Sequence, residues 1–217
     1  ITTRLVGSEM CIRDRYGNVR RPTHYNTSWD EARFEVCAHK WLDVSEDGYG
    51  ISVLNDCKYG CDVHNGRIGL TMLKSATYPN PDADKEHHSF IWSLCPHSGR
   101  WQENQIVAKA YLLNNPYRAV IKQKDGGSLA KTYSAVSVNV PNVVIEVVKK
   151  AEDGDETIIR MYECWNRRSR FELQLSEPAE YVYETNLLEE KQEEIPVKEN
   201  KVSLEIRPFE IKTLVVY

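Results

Sequence analysis

Hydrophobic and polar positions alternate along most of the chain with the two-residue period of half-buried β-strands. The first such run is 33–39, where Phe34, Val36 and Ala38 share one face. The later runs predicted as strands are 49–54, 67–73, 89–95, 117–121, 133–138, 143–148, 157–164, 171–175, 181–184, 202–206 and 211–216. About a dozen short strands at this spacing predict an all-β fold of the antiparallel β-sandwich type.

One segment has a helical period instead. Within residues 103–113, Ile106, Val107, Ala110 and Tyr111 recur at helical spacing, and an Asn-Asn-Pro sequence ends the run. We therefore predict one short helix at 103–113.

Turn-forming residues separate the predicted strands. Asn65-Gly66 and Asp153-Gly154 tolerate the positive φ of tight hairpin turns. Residues 78–84 contain two prolines and are predicted to form a long irregular loop. The charged run 189–194 is predicted to be a solvated loop.

The chain divides into three parts on these patterns. Residues 16–140 are predicted to form a larger β-sandwich region and residues 141–217 a small terminal β domain, with the boundary near Pro141. Residues 1–15 show no clear period, and the sequence LVGSEMCIRD at 5–14 resembles peptides translated from sequencing adapters. We expect no regular structure there, and we expect the natural polypeptide to continue upstream of Tyr16.

Composition narrows the function classes. Of 217 residues, 41% are hydrophobic and 28% charged, and a net charge of −4 disfavours a nucleic-acid or anionic-membrane partner. Apolar runs stay well below the roughly 18–20 residues that span a bilayer. The six cysteines occur singly rather than in a disulfide pattern, so we expect reduced thiols and a cytoplasmic location.

The residues alone reveal no catalytic or metal centre. Cys57, Cys61 and His64 come nearest to a zinc motif, but a second cysteine pair with matching spacing is missing. His87 and His88 are adjacent, so strand alternation would point their rings to opposite faces. With 32 acidic residues in the chain, no particular pair of carboxylates can be singled out for acid–base chemistry.

Several longer motifs resemble one enzyme family. They are RPTHYNTSWD at 21–30, RFEVCAHKW at 33–41, LNDCKYG at 54–60, LKSATYP at 73–79, EDGD at 152–155, YETNLLEE at 183–190 and RPFEIKTL at 207–214. Together they resemble the α-mannosidases of glycoside hydrolase family 38, in the cytosolic and vacuolar branch with its bacterial relatives. The resemblance runs from about Tyr16 to the end of the chain.

The resemblance implies that the active site lies outside this chain. Such an enzyme has an N-terminal α/β catalytic barrel, a helical bundle, a large β-sandwich region and a small terminal β domain. A zinc ion and an aspartate nucleophile in the barrel would cleave terminal α-linked mannose with retention. The chain by itself is therefore expected to be inactive and to hold no cofactor or metal. Its expected partners are its own upstream barrel and helical domain and a mannose-containing oligosaccharide, while assembly of several copies stays open.

The resemblance also implies a substrate-facing rim. Its candidates are Asp56, Lys58 and Tyr59 in one turn, with Lys74 at a position where other branches of the family have an arginine. The alternative is that Asp56 and Lys58 form an ordinary polar turn and that Tyr59 packs against a neighbouring domain.

Two rival functions remain open at this stage. The chain could be a stand-alone carbohydrate-binding β-sandwich module, or a scaffold for oligomerisation. Trp29, Trp41 and Trp92 are expected to be core or interface anchors rather than platforms for sugar stacking.

Overall fold

The computed structural model describes residues 9–121 and 131–217, and most of these lie in antiparallel β-sheets. Two compact units divide the chain, Ile1–Arg118 and Ala119–Tyr217. The architecture confirms the predicted all-β class.

The first unit contains eight strands and two helices among its described residues. The strands are β1 (Glu9–Asp14), β2 (Gly17–Pro22), β3 (Val36–Cys37), β4 (Trp41–Ser45), β5 (Tyr49–Asn55), β6 (Gly60–His64), β7 (Arg67–Leu70) and β8 (Trp92–Ser98). The helices are α1 (Ser28–Ala32) and α2 (Ile106–Asn114). The strand orders are β2-β1-β4-β5-β8 in a five-stranded sheet and β3-β6-β7 in a three-stranded sheet.

The core of the first unit lies between these two sheets. Leu42 pairs with Val53 and Val44 with Ile51 across β4 and β5, so their side chains share one face of the larger sheet. That face packs against the smaller sheet, which contributes Cys61 and Val63 among others. The pattern is that of two sheets packed face to face.

Helix α2 covers the opposite face of the larger sheet. Its Ile106, Val107 and Ala110 are buried, and the helix contacts β4 and β5. The ring centroids of Trp41 and Trp101 lie 4.7 Å apart on this side of the sheet. The predicted helix at 103–113 is therefore confirmed, although it begins three residues later and ends at Asn114.

The second unit is a sandwich of two further antiparallel sheets. Its strands are β9 (Val136–Val138), β10 (Val143–Lys150), β11 (Thr157–Glu163), β12 (Ser169–Leu175), β13 (Val182–Thr185), β14 (Lys191–Ile195), β15 (Val197–Lys198), β16 (Lys201–Ile206) and β17 (Ile211–Val216). The sheet orders are β10-β11-β17-β13-β14 and β15-β16-β12-β9. Their inner faces form one hydrophobic core around Met161, Leu173, Val202 and Leu214.

Several predicted boundaries are wrong. Glu9–Asp14 form β1 and pair with both β2 and β4, although residues 1–15 were expected to lack regular structure. The compact units divide after Arg118, and β9, which precedes Pro141, pairs with β12 inside the second unit, while the domain boundary near Pro141 stays a prediction. Residues 117–121 are not a strand, and the expected strand at 33–39 shrinks to β3. The charged run expected to be a loop contributes most of β14.

The predicted turns agree better with the structure. Asn65 and Gly66 both have positive φ, 52° and 72°, in the tight turn that joins β6 to β7. Residues 78–84 lie in a connection between β7 and β8 that has no helix or strand. In the part of the chain that the structure describes, no helix is long and apolar enough to cross a membrane.

Candidate functional site

Three of the four candidate rim residues lie in the turn between β5 and β6. The main-chain N–H of Asp56 donates to the carbonyl of Ile91 at 3.2 Å, which ties this turn to the segment before β8. The ammonium group of Lys58 lies 5.4 Å from the ring centroid of Phe90. The Tyr59 hydroxyl donates to the carbonyl oxygen of Asp56 at 3.5 Å, and Tyr59 as a whole is 39% exposed.

Lys74 lies in the irregular connection between β7 and β8, where a carboxylate holds its backbone. Asp84 accepts hydrogen bonds from the main-chain N–H groups of Ser75, at 3.1 Å, and of Lys74, at 3.4 Å. These two N–H groups lower the pKa of Asp84, and electrostatic interactions with His88 and Lys58 act in the same direction. Asp84 therefore holds the Lys74 backbone and also feels the charge of Lys58, although 16 positions separate the two lysines in the sequence.

Asp56 is held as a carboxylate. Partial burial acts to raise its pKa, but the Cys57 thiol and the main-chain N–H groups of Ile91 and Cys57 outweigh this effect, so the pKa is lowered. Its oxygen Oδ1 is buried and accepts no hydrogen bond from the described residues. The hydrogen bond to Asp56 in turn raises the pKa of Cys57 and keeps it a thiol.

The chemistry of these four side chains suits binding rather than bond cleavage. Two ammonium groups, a carboxylate and a phenol can all hydrogen-bond to a polyhydroxylated ligand. A general acid for glycoside hydrolysis needs a raised pKa, whereas those of Asp56 and Asp84 are both lowered. We therefore refer to Asp56, Lys58, Tyr59 and Lys74 as the rim, and assign it no catalytic step.

The residues that come nearest to a zinc motif in the sequence, Cys57, Cys61 and His64, do not form a metal site in the described part of the fold. Cys61 is buried in β6, where burial raises its pKa to about 12, and its thiol donates to the carbonyl of Val36. Cys57 is exposed in the preceding turn. Across residues 9–121 and 131–217, no three His, Cys, Asp or Glu side chains are placed to hold a metal ion. These residues do not fit a zinc site.

A buried polar network in the first unit was missed by the sequence analysis. Asp43 Oδ1 accepts from Ser52 Oγ at 2.6 Å and from His97 Nε2 at 2.8 Å, and Oδ2 accepts from Ser45 Oγ at 2.7 Å. Gly50 leaves room for the imidazole, because a Cβ there would lie 2.4 Å from His97 Cε1. A sign of this network in the sequence is that Asp43 lies between the apolar residues Leu42 and Val44.

This network contains the residue types of a catalytic triad in an unsuitable arrangement. A nucleophilic serine must contact the histidine that takes its proton, but both serine hydroxyls here donate to Asp43. The His97 and Asp43 side chains are also 1% and 0% exposed, out of reach of a substrate. The network therefore stabilises the sheet and the residues that follow β8.

The fold and the rim together define a two-unit β-sandwich protein with a polar loop cluster beside one sheet. Two sequence profiles specify the family. The profile described as "Glycosyl hydrolases family 38 C-terminal domain" matches residues 7–82, and "Glycosyl hydrolases family 38 C-terminal beta sandwich domain" matches residues 142–214. The chain belongs to the C-terminal region of glycosyl hydrolase family 38. The first match begins inside the segment 1–15 that was expected to lie outside the fold.

Similar proteins agree with this assignment. "Alpha-mannosidase 2C1" of Homo sapiens is 37% identical over 98% of this chain, and "Alpha-mannosidase G" of Dictyostelium discoideum is 39% identical over 92%. The matches cover 21% and 19% of those proteins, so the chain spans about a fifth of their length. A solved alpha-mannosidase from Enterococcus faecalis V583 shares the fold, with a TM-score of 0.78 and 20% identity over 100% of this chain and 25% of that one.

Proposed function

We propose that this chain is the C-terminal β region of a retaining α-mannosidase that removes terminal α-linked mannose from oligosaccharides. The observation that carries the proposal is the match of nearly the whole chain to two proteins named as alpha-mannosidases, at 37% and 39% identity. The nucleophile, the acid/base and the zinc ion belong, in this proposal, to the remainder of the polypeptide. Retention would follow from double displacement through a covalent glycosyl-enzyme.

In this proposal the rim contributes to substrate binding. Lys58 and Lys74 carry ammonium donors, and Asp56, in the same turn as Lys58, offers an ionised acceptor. Charge-assisted hydrogen bonds of this kind suit sugar hydroxyls. Because lysine lacks the planar fork of arginine, Lys74 would make single rather than bidentate contacts.

A cytoplasmic location is part of the same proposal. All six cysteines lie within the described residues, and none of them is joined in a disulfide. Three of these cysteines are buried inside strands or at their ends, as small apolar residues often are. Reduced thiols of this kind suit a reducing compartment.

The test is a chimera in which this chain replaces the segment it matches in human Alpha-mannosidase 2C1. We expect the chimera to hydrolyse p-nitrophenyl α-mannoside and to release α-mannose first, as followed by proton NMR of the anomers. We expect the chain alone to show no turnover, with or without added zinc. A chimera that folds but shows no activity would contradict the proposal, as would turnover by the chain alone.

Substitutions in the rim test its role in binding. In the chimera, Lys58→Met and Lys74→Met are each expected to raise KM about three- to tenfold, with kcat within about twofold, because each removes a donor to the bound sugar. Lys198→Met, at an exposed position on β15, is the matched control and should change neither constant. Unchanged KM in both rim variants would assign these lysines to an ordinary polar turn.

A second candidate is a carbohydrate-binding module, and one observation favours it. Trp29 is 75% exposed on α1, whose start is fixed by reciprocal hydrogen bonds between Thr27 and Asp30. An exposed indole on a fixed support can stack on a sugar ring. Titration of the isolated chain with mannose, monitored by tryptophan fluorescence, distinguishes the two. A saturable change that Trp29→Phe abolishes would favour the module.

A further inference from the structure

A cysteine in the larger sheet of the first unit contacts a lysine of the helix that covers this sheet. The ammonium group of Lys109 donates to Cys95 Sγ at 3.7 Å, and the contact lies at the surface. Cys95 is a free, half-buried thiol of β8, and Lys109 is an exposed residue of α2. Two nucleophiles of different chemistry, a sulfur and an amine, therefore lie side by side.

The backbones on both sides of this contact are held by the fold. Cys95 pairs in register with Ser52, so the two side chains share the face of the sheet on which Ser52 contacts Asp43. Helix α2 packs through the buried Ile106, and Lys109 lies on the neighbouring helix position three residues later. The sheet and the helix thus bring the sulfur and the nitrogen together.

Lys109 has no acidic partner that would compete for its ammonium group. In the part of the chain that the structure describes, this group donates to Cys95, and no carboxylate forms an ion pair with it. Lys149 and Lys212, by contrast, each pair with a glutamate. An amine in an ion pair must break that pair before it can react, and Lys109 is spared this step.

Among the six cysteines, all of which lie within the described residues, Cys95 alone combines an accessible sulfur with a hydrogen bond from a lysine. Three others are buried, namely Cys11, Cys61 and Cys164. Cys57 is exposed, but its hydrogen bond to Asp56 raises its pKa and keeps it a thiol, which is the unreactive form. Cys37 is also exposed, but its sulfur lies 3.5 Å from His39 Nε2 rather than beside an amine.

We propose that Cys95 and Lys109 form an acyl-transfer site, which accepts acyl groups from thioesters such as acetyl-coenzyme A and ends with the acyl group on Lys109. This inference is independent of the proposed function. In the first step Cys95 loses its proton to water, and its sulfur attacks the thioester carbonyl carbon. The bond from that carbon to the donor's sulfur breaks, and the donor leaves as a free thiol.

In the second step the acyl group moves from sulfur to nitrogen. The Lys109 amine, after losing a proton to water, attacks the same carbonyl carbon. The bond from this carbon to Cys95 Sγ breaks, and Cys95 regains a proton. One thioester is thereby converted into one amide and one free thiol, so the sequence needs no oxidant or reductant.

The contact distance suits this second step. In the acylated state the carbonyl carbon is bonded to Cys95 Sγ, and the Lys109 nitrogen lies 3.7 Å from that sulfur before acylation. Reacting atoms must come within about 3–3.5 Å, which side-chain rotation can achieve without movement of the backbone. Because the transfer is intramolecular, it should be faster than direct acylation of a lysine by a thioester in solution.

The test is incubation of the complete chain with acetyl-coenzyme A, followed by peptide mass spectrometry. We expect Lys109 to be acetylated at least about tenfold faster than Lys198, an exposed lysine of β15, because Lys109 has a thiol beside it. Cys95→Ser should lower the acetylation rate of Lys109 about tenfold or more, to that of Lys198. Cys37→Ser removes an exposed thiol that contacts His39 instead, so this matched control should change neither rate.

Lys109→Arg tests the intermediate. Arginine keeps the positive charge but stays protonated and cannot accept the acyl group, so an acetyl thioester that hydroxylamine removes should accumulate on Cys95. In the wild type the acetyl group on Lys109 should resist hydroxylamine. Unfolding in urea should abolish the advantage of Lys109 over Lys198, because it separates β8 from α2.

Two results would overturn the proposal. Unchanged acetylation of Lys109 in Cys95→Ser would mean that the donor acylates the lysine directly. Absence of a thioester on Cys95 in Lys109→Arg would mean that the sulfur does not react. Lys109 is exposed, so Lys109→Arg should leave the fold intact and decide the question even if Cys95→Ser is destabilised.

Discussion

Asp43→Ala is expected to lower the free energy of unfolding of the first unit by about 3–5 kcal/mol, one of the two largest single-site effects expected in this chain. The carboxylate accepts hydrogen bonds from Ser45, Ser52 and His97, and it is fully buried. Its removal leaves the Ser52 hydroxyl and the His97 imidazole buried without their acceptor, and each unsatisfied group adds to the cost. The loss should affect β4, β5 and β8 together, because the three side chains that contact Asp43 connect these strands.

Urea unfolding followed by tryptophan fluorescence measures this effect, since Trp41 and Trp101 pack in the same unit. Asp47→Ala is the matched control, because the Asp47 side chain is fully exposed in the turn after β4 and should give no measurable change. Amide exchange should show faster opening of β4, β5 and β8 in Asp43→Ala, with the second unit unaffected. A loss below about 1 kcal/mol would mean that water replaces the carboxylate, and that the network does not stabilise the sheet.

The strands of the second unit could be predicted because they follow the simplest pattern. In β16, Val202, Leu204 and Ile206 are buried while the residues between them are exposed. One face packs on the core and the other meets solvent, so the period of two is visible in the sequence. The hairpin from β10 to β11 was equally visible, because Asp153-Gly154 lies between two strongly apolar runs.

Strand β4 could not be predicted in the same way, because both of its faces are covered. Trp41 and Asp43 point toward the layer of α2 and His97, while Leu42 and Val44 point into the core between the sheets. A strand buried on both sides shows no alternation, and Asp43 interrupts its apolar run. The four residues Trp41, Leu42, Asp43 and Val44 are all buried.

Strand β14 could not be predicted for the opposite reason, because its residues are exposed rather than buried. Residues 191–194 are exposed and mostly charged, so they have the composition of a loop. They form a strand because β13 offers a free edge, and charged side chains suit the strand that then becomes the outer one. These residues form a strand because they pair with β13, and the local sequence pattern gives no sign of that pairing.

The candidate site was partly accessible from the sequence. The resemblance indicated Asp56, Lys58, Tyr59 and Lys74, but it did not indicate Asp84, whose hydrogen bonds hold the backbone at Lys74. That contact joins two points of an irregular loop, and such a loop has no period from which contacts can be inferred. For the same reason the pairing of Asp43 with His97 across 54 positions could not be predicted.

Glu163→Ala is expected to lower the free energy of unfolding of the second unit by about 3–5 kcal/mol. Its buried carboxylate accepts from Asn142 Nδ2 at 2.9 Å and from the main-chain N–H of Trp165 at 2.7 Å through Oε1. Through Oε2 it accepts from the main-chain N–H of Phe209 at 3.0 Å. One side chain thus joins the residue before β10, the residues after β11 and the turn from β16 to β17.

Glu163→Gln separates the charge from the shape of this contact. An amide keeps one acceptor oxygen, but its NH₂ group must face either the Phe209 N–H or the donors of Asn142 and Trp165. We therefore expect a smaller but clear loss of about 1–3 kcal/mol. Glu193→Gln, exposed on β14, is the matched control and should be neutral. Urea unfolding, together with amide exchange of β10, β11 and β17, measures the effects of Glu163→Ala, Glu163→Gln and Glu193→Gln. If Gln at position 163 matched the wild type, packing rather than acceptance of three hydrogen bonds would explain why Glu163 is buried here.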